Sequence, residues 1–171
     1  MKALTIHQPY ASLIAVGAKR YETRSWATRY RGPIAIHAGT KEPRFPIPEY
    51  SDFGDAMCYA LGSCSYWGGN PPKWCDAPNA IHFRDDEFPR GGVIAIADLV
   101  ECHEIDYADY HNGLCPIGTA DGNSFMLTKA EFLFGNWTPG RFAWELANVK
   151  RLPVPVPCKG RQGLWNWEGM L

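Results

Sequence analysis

What this chain lacks narrows its reading before any motif does. No apolar run approaches the roughly 18 residues a membrane-spanning helix needs, so no membrane role is expected. The chain does not open on a basic stretch followed by an apolar core, the mark of a secretory leader. A cytoplasmic setting is the expectation. The six cysteines (58, 64, 75, 102, 115 and 158) include no CxxC pair, and in that setting they read as reduced thiols. Cys58, Cys64, Cys75 and His82 lack the close spacing of a structural zinc site. Nothing else calls for a metal or an organic cofactor. The formal net charge is only −1, which excludes a whole-surface field for polyanions and leaves room for a local basic patch. Internal repeats, low-complexity tracts and linkers are all missing, and no Walker or Rossmann glycine pattern is found.

What is present points to many short elements. The 171 residues suit one domain, 1–171. Glycine (17) and proline (14) are frequent, so turns should be many and helices short. KALTI (2–6) reads as a strand. QPYASLIAVGAK reads as a short helix with Pro9 at its first position and Gly17 as a left-handed stop. KRYETRSW alternates as an edge strand, and RGPIAIHAG (31–39) is a strand with Ile34 and Ile36 on one face. Residues 46–62 look partly helical, and 63–90 lack any period, so an irregular insertion spans about 41–90. GGVIAIADLVEC (91–102) is apolar on both faces and should be central. Thr128 and Glu131 predict a capping box opening a helix over 128–135. GRFAWELANVKRL (140–152) turns Phe142, Trp144 and Leu146 inward, and PVPVPCKGRQGLWNW (153–167) is extended, then glycine-flanked and aromatic. The expected class is α+β, a compact barrel with helical decorations.

One stretch, VGAKRYETRSW (16–26), concentrates charge where the first helix stops. Across 17–33, Lys19, Arg20, Arg24, Arg29 and Arg31 face a single acid, Glu22. Glu22 and Arg24, two apart, share a strand face. Lys19 joins them only if the chain bends around 19–21. Tyr10 and Gln8 lie at the far end of the helix, about 13 Å from Lys19 along its axis. Cations beside aromatics suit single-stranded nucleic acid, whose phosphates take the charge and whose bases stack. A lone Glu within such a patch accepts hydrogen bonds from a base amino group, or acts as a general base. The opposing reading is a surface ion pair between Glu22 and Lys19 or Arg24, with every Trp in the core.

The order Gly17, Lys19, Glu22, Arg24 is G-x-K-x-x-E-x-R, and with its flanks it resembles the ASCH family (activating signal cointegrator homology domains). KALTIHQPYASLIAVGAKRYETRSW resembles the family's N-terminal block, and YRGPIAIHAG its next strand. FAWELANVKRLPVPVPCKGRQGLWNW resembles the closing segment of its longer bacterial and phage-like members. The resemblance implies a PUA-like fold, a small β-barrel with short helices, whose motif residues line a cleft. It implies binding of RNA or a modified base or nucleotide. One branch, an amidohydrolase acting on acylated cytosine nucleosides, has a nucleophilic Thr where this chain has Glu22, which argues against that mechanism here.

Carried over, Lys19, Glu22 and Arg24 line the cleft, with Ser25 and Trp26 following and Gln8 and Tyr10 as another wall. Lys19 and Arg24 would hold a phosphate or polarise a carbonyl. His37 ends a strand nearby, and Arg141, Lys159 and Gln162 would close the rim. Three functions follow. The first is a binding module for single-stranded RNA or a nucleotide or modified base. The second is a hydrolase acting on nucleic acid or a modified nucleoside, with Lys19 and Glu22 catalytic. The third is an adaptor that meets a protein partner through 63–90. The sequence leaves turnover open.

Overall fold

The computed structural model describes residues 1–41, 52, 56, 57, 60, 88–111 and 114–169. Among the described residues, eight strands and two named short helices give an α+β architecture. Its path begins with β1 (Lys2–Ile6), α1 (Tyr10–Ala15), β2 (Tyr21–Arg24) and β3 (Gly32–Ala38). Then come β4 (Gly92–Ala108), β5 (Cys115–Thr119) and β6 (Ser124–Leu127), followed by α2 (Lys129–Leu133), β7 (Phe142–Pro157) and β8 (Leu164–Asn166). The sheet order is β2-β7-β4-β3-β1-β8, with β5 and β6 added on β4. This is consistent with a PUA-like fold, but among the described residues the sheet is not closed: no ladder joins β2 to the other end of the path.

The strand pattern follows from the sequence period. Ile34, Ile36 and Ala38 share the face of β3 that packs with Leu4, Ile6, Ala11, Ile14, Trp144 and Leu146. Ala35 lies on the other face among Ala3, Val93, Trp165 and Trp167. β4 is central, as its two-sided apolar run predicts, and pairs with β3, β5 and β7. It runs on to Ala108, beyond the apolar part, because alternating ECHEIDYA still carries Ile105 inward. Trp144 is fully buried. A buried aromatic of 150–250 Å², at about 25 cal/mol per Å², contributes about 4–6 kcal/mol before entropy is counted.

The helices are shorter than the sequence predicts. α1 holds six residues, and Pro9 is its N-cap and not its first turn. Gly17, at φ +79°, ends it as expected. Ala18 and Lys19 then donate backbone N–H bonds back to the Leu13 carbonyl, at 2.9 and 3.1 Å. At α2, Thr128 Oγ1 accepts from the Glu131 N–H at 3.1 Å, one half of the expected capping box. The other half does not form, because the Glu131 carboxylate turns away to the start of β2. Of 46–62, the described residues Asp52, Ala56, Met57 and Ala60 are helical. The rest of that expectation, the excursion as far as residue 87, and Cys58, Cys64, Cys75 and His82 lie outside the described residues. Among the described residues, no helix is long and apolar enough to cross a membrane, and no His, Cys, Asp and Glu cluster could hold a metal ion.

Candidate functional site

Three strands separate β2 from β1 along the sheet path, yet the Arg24 guanidinium reaches from one to the other. Its Nη2 donates to the Thr5 carbonyl at 3.0 Å. A side chain thus bridges the seam that the ladder leaves open, and two clefts meet at this bridge. The narrower, about 280 Å³, is walled by Tyr10, Lys19, Glu22, Phe134 and Asn136. The wider, about 730 Å³, is walled by Trp26, His37, Lys41, Lys159, Arg161 and Gln162. Arg24 and His7 line both, so the two form arms of one site.

The narrow arm owes its shape to the bend at 19–21. Lys19 is 1% exposed, and its ammonium donates to the Tyr21 carbonyl at 2.5 Å and the Phe134 carbonyl at 2.8 Å. Its third direction faces Glu22 Oε2 at 3.6 Å. Burial holds this lysine below its ordinary range, opposed by the charges of Glu22 and Glu131. From the other side, Glu131 Oε1 accepts the backbone N–H of Arg20 at 2.5 Å and of Tyr21 at 3.0 Å. Burial also raises the Glu131 carboxyl above its usual range, against those bonds and the Arg20 charge. The bend is thus clamped by two buried charges, one from each side.

Glu22 sits at the centre. Its Oε1 lies 3.1 Å from Arg24 Nε and its Oε2 faces Lys19. An ionised carboxylate offers about four lone-pair sites, so two cations leave acceptor capacity on the cleft side. Tyr10 closes the wall, its ring centroid 5.8 Å from Lys19 Nζ. Burial raises the Tyr10 hydroxyl, with a further push from Glu22. The expected separation of about 13 Å is therefore corrected: a helix of six residues with a returning turn brings Tyr10 beside Lys19.

In the wide arm, His37 is 1% exposed. Its Nε2 lies 3.0 Å from the Cys158 carbonyl and therefore donates to it. Its Nδ1 is buried with no hydrogen-bond partner. Trp26 packs edge-on against Trp144, centroids 4.5 Å apart.

Several expected residues fall elsewhere. Gln8 lines neither arm: it is buried, accepts from the Ser12 N–H at 3.1 Å and donates to the Pro89 carbonyl at 2.7 Å, as a structural cap. Ser25 is exposed and lines neither arm. Arg141 also lies outside both, its Nη2 donating to the Thr23 carbonyl at 3.3 Å. Sequence reasoning missed His7, Asn136, Lys41, Arg161 and the clamp Glu131. Of these, only His7 had a signal, its place between β1 and the QPY start of α1.

Comparison with known proteins fits this geometry. The family model for the ASCH domain matches residues 4–155. The chain belongs to the ASCH domain family. Over 168 residues it is 52% identical to activating signal cointegrator 1 from Homo sapiens and 24% identical to activating signal cointegrator 1 from Mus musculus. Each alignment covers 98% of this chain and 22% of the relative, so the chain spans about a fifth of the length of these curated relatives. At the level of the family, membership of the ASCH domains suggests an RNA-binding domain.

Proposed function

We propose that the chain is a binding module for RNA or for a modified base or nucleotide, and that the narrow arm receives the base. One observation carries this reading: the Glu22 carboxylate, held between Lys19 and Arg24, faces a cleft walled by Tyr10, His7 and Asn136. An acceptor flanked by a ring and by donors is what the polar edge of a base requires. Lys19 supports the site from below, since two carbonyls already take its hydrogens. The ligand therefore meets Glu22 and Arg24 directly, and Lys19 through them.

The test is a Trp-fluorescence titration with short single-stranded RNA at low and moderate salt. Glu22→Gln keeps the shape and removes the charge, and hydrogen bonds to charged groups are worth about 1.5–3 kcal/mol. Affinity should fall about tenfold or more by that measure. Equal affinity in wild type and Glu22→Gln would remove the base from this arm.

A second reading, a hydrolase acting on nucleic acid or a modified nucleoside, is favoured by the buried Lys19 beside Glu22, since desolvated lysines often take part in proton transfer. It requires turnover that Glu22→Gln abolishes while substrate still binds. The relatives are named as activating signal cointegrators. An adaptor role of that kind is the reading left if neither nucleic acid nor nucleoside engages the cleft. The segment first suggested for it, 63–90, lies outside the described residues up to residue 87.

A further inference from the structure

The cations of this chain are not distributed evenly with respect to their partners. Arg20 faces Glu131, Arg31 pairs with Glu101, and Lys129 with Asp52. In the wide arm, Lys41, Lys159 and Arg161 converge on one cavity, with Arg24 at its inner end. Among the described residues none of those three faces a carboxylate, and no Asp or Glu lines this arm. In a chain of net charge −1, three converging cations with no counter-charge among the described residues make a local anion field.

The rim is built, not loosely hung. Lys159 and Arg161 flank Gly160, which lies so close to β3 and β1 that a Cβ there would come within 2.5 Å of His37 Cε1 and 2.9 Å of Thr5 Oγ1. The Cys158 carbonyl is tied to His37 at 3.0 Å. Gly163, at φ +66°, turns the chain back into β8. The backbone that carries these two exposed cations is therefore packed on the sheet beside the wide arm. His7 and Arg24 join this arm to the one that holds Glu22.

Resting on the reading of the narrow arm as a base site, we infer that the wide arm is a subsite for the phosphate of a nucleotide. The ligand straddles Arg24, with its base beside Glu22 and the adjoining phosphate among Lys41, Lys159 and Arg161. The substrate class is then a phosphorylated nucleotide or a nucleic-acid strand, and not a free nucleoside.

The experiment compares the four ribonucleosides, their monophosphates and short RNA for binding to the full chain, followed by Trp fluorescence across a salt series. The variant is Lys159→Ala plus Arg161→Ala, checked by thermal melting against wild type. Monophosphates should bind at least tenfold tighter than the matching nucleosides at low salt. The double variant should lose that advantage and retain nucleoside binding. Its salt slope with RNA should flatten by about 0.7 for each phosphate contact removed. Nucleosides binding as well as monophosphates, or a phosphate advantage unchanged in the double variant, would overturn the subsite and leave the base site standing. Inorganic phosphate that binds the wild type as tightly as a monophosphate would assign the arm to a free anion and overturn the nucleotide-phosphate subsite. If neither nucleosides nor nucleotides bind at any salt, the base site itself fails, and this inference with it.

Discussion

Arg24 on β2 and Thr5 on β1 are joined by one hydrogen bond of 3.0 Å across a seam that no ladder closes. The order Gly17, Lys19, Glu22, Arg24 therefore has a structural meaning beyond its charges. Its arginine ties two sheet margins together, its glutamate orients that arginine at 3.1 Å, and its lysine holds the glutamate from within. Replacing Arg24 by Lys keeps the charge and loses the planar fork that meets Glu22 and Thr5 together. The expected outcome is a loss of about 1.5–3 kcal/mol in stability by the usual worth of a charged hydrogen bond, with the loss in RNA binding free energy larger still. Thermal melting and titration of the same sample separate the two effects. Unchanged affinity would show that the bridge is structural only.

Lys19 makes a different prediction. Lys19→Met matches its length but leaves the Glu22 carboxylate without its buried partner and two carbonyls without a donor. Removing one member of a buried pair costs about 3–5 kcal/mol. At about 2–4 °C per kcal/mol for a chain of this size, Tm should fall by about 6–20 °C. A shift within 2 °C in thermal melting would mean that water or rearrangement satisfies all three groups.

The pH dependence of stability follows from the same clamp. Burial raises the folded Glu131 carboxyl above its ordinary 4.5, so between that value and the raised one the native state holds more proton than the unfolded chain. Stability should therefore fall as pH rises through that window. Lys19 is the opposite case in both charge type and direction: its folded value lies below the ordinary 10.5. The unfolded state then holds more proton there, and stability should rise with pH up to that value. Denaturant titrations across pH should show the acid-side fall in wild type and its loss in Glu131→Gln. A Glu131→Gln variant with an unchanged pH profile would count against the clamp's ionisation.

Much of this arrangement was legible in the chain. The helix stop at Gly17, the shared face of Ile34 and Ile36, the inward Trp144 and the cap at Thr128 each follow from local period or local chemistry, and each is found. The need for a bend at 19–21 was also legible. What forms the bend was not, because Glu131 lies 110 residues from Tyr21 and looked like a partner for its own helix. The β5–β6 hairpin escaped for another reason. Its strands are five and four residues long and are joined through ADGN, so neither run is long enough to establish a period. His7, Lys41 and Arg161 are separated along the chain and meet because β1 and β3 run parallel and end together, beside the start of the antiparallel β8. Gln8 and Arg141 show that polar residues near a charged stretch can be spent on backbone groups, which local sequence does not decide.

Thr128→Ala tests whether the distant clamp matters to the site. Its Oγ1 caps α2 by accepting from the Glu131 N–H at 3.1 Å. Loss of such a cap costs about 1 kcal/mol, within a range of about 0.5–2, which lowers Tm by about 2–4 °C. The side chain itself lines neither arm of the cleft. If α2 positions Glu131, and Glu131 positions Arg20 and Tyr21, the variant should also weaken RNA binding well below the melting range. Amide hydrogen exchange gives the independent readout, because Arg20 and Tyr21 N–H groups donate to Glu131 alone in this network. Faster exchange at those two amides, with β4 amides unchanged, would locate the effect in the clamp. Equal protection at Arg20 and Tyr21 in variant and wild type would show that the β2 bend holds without the cap.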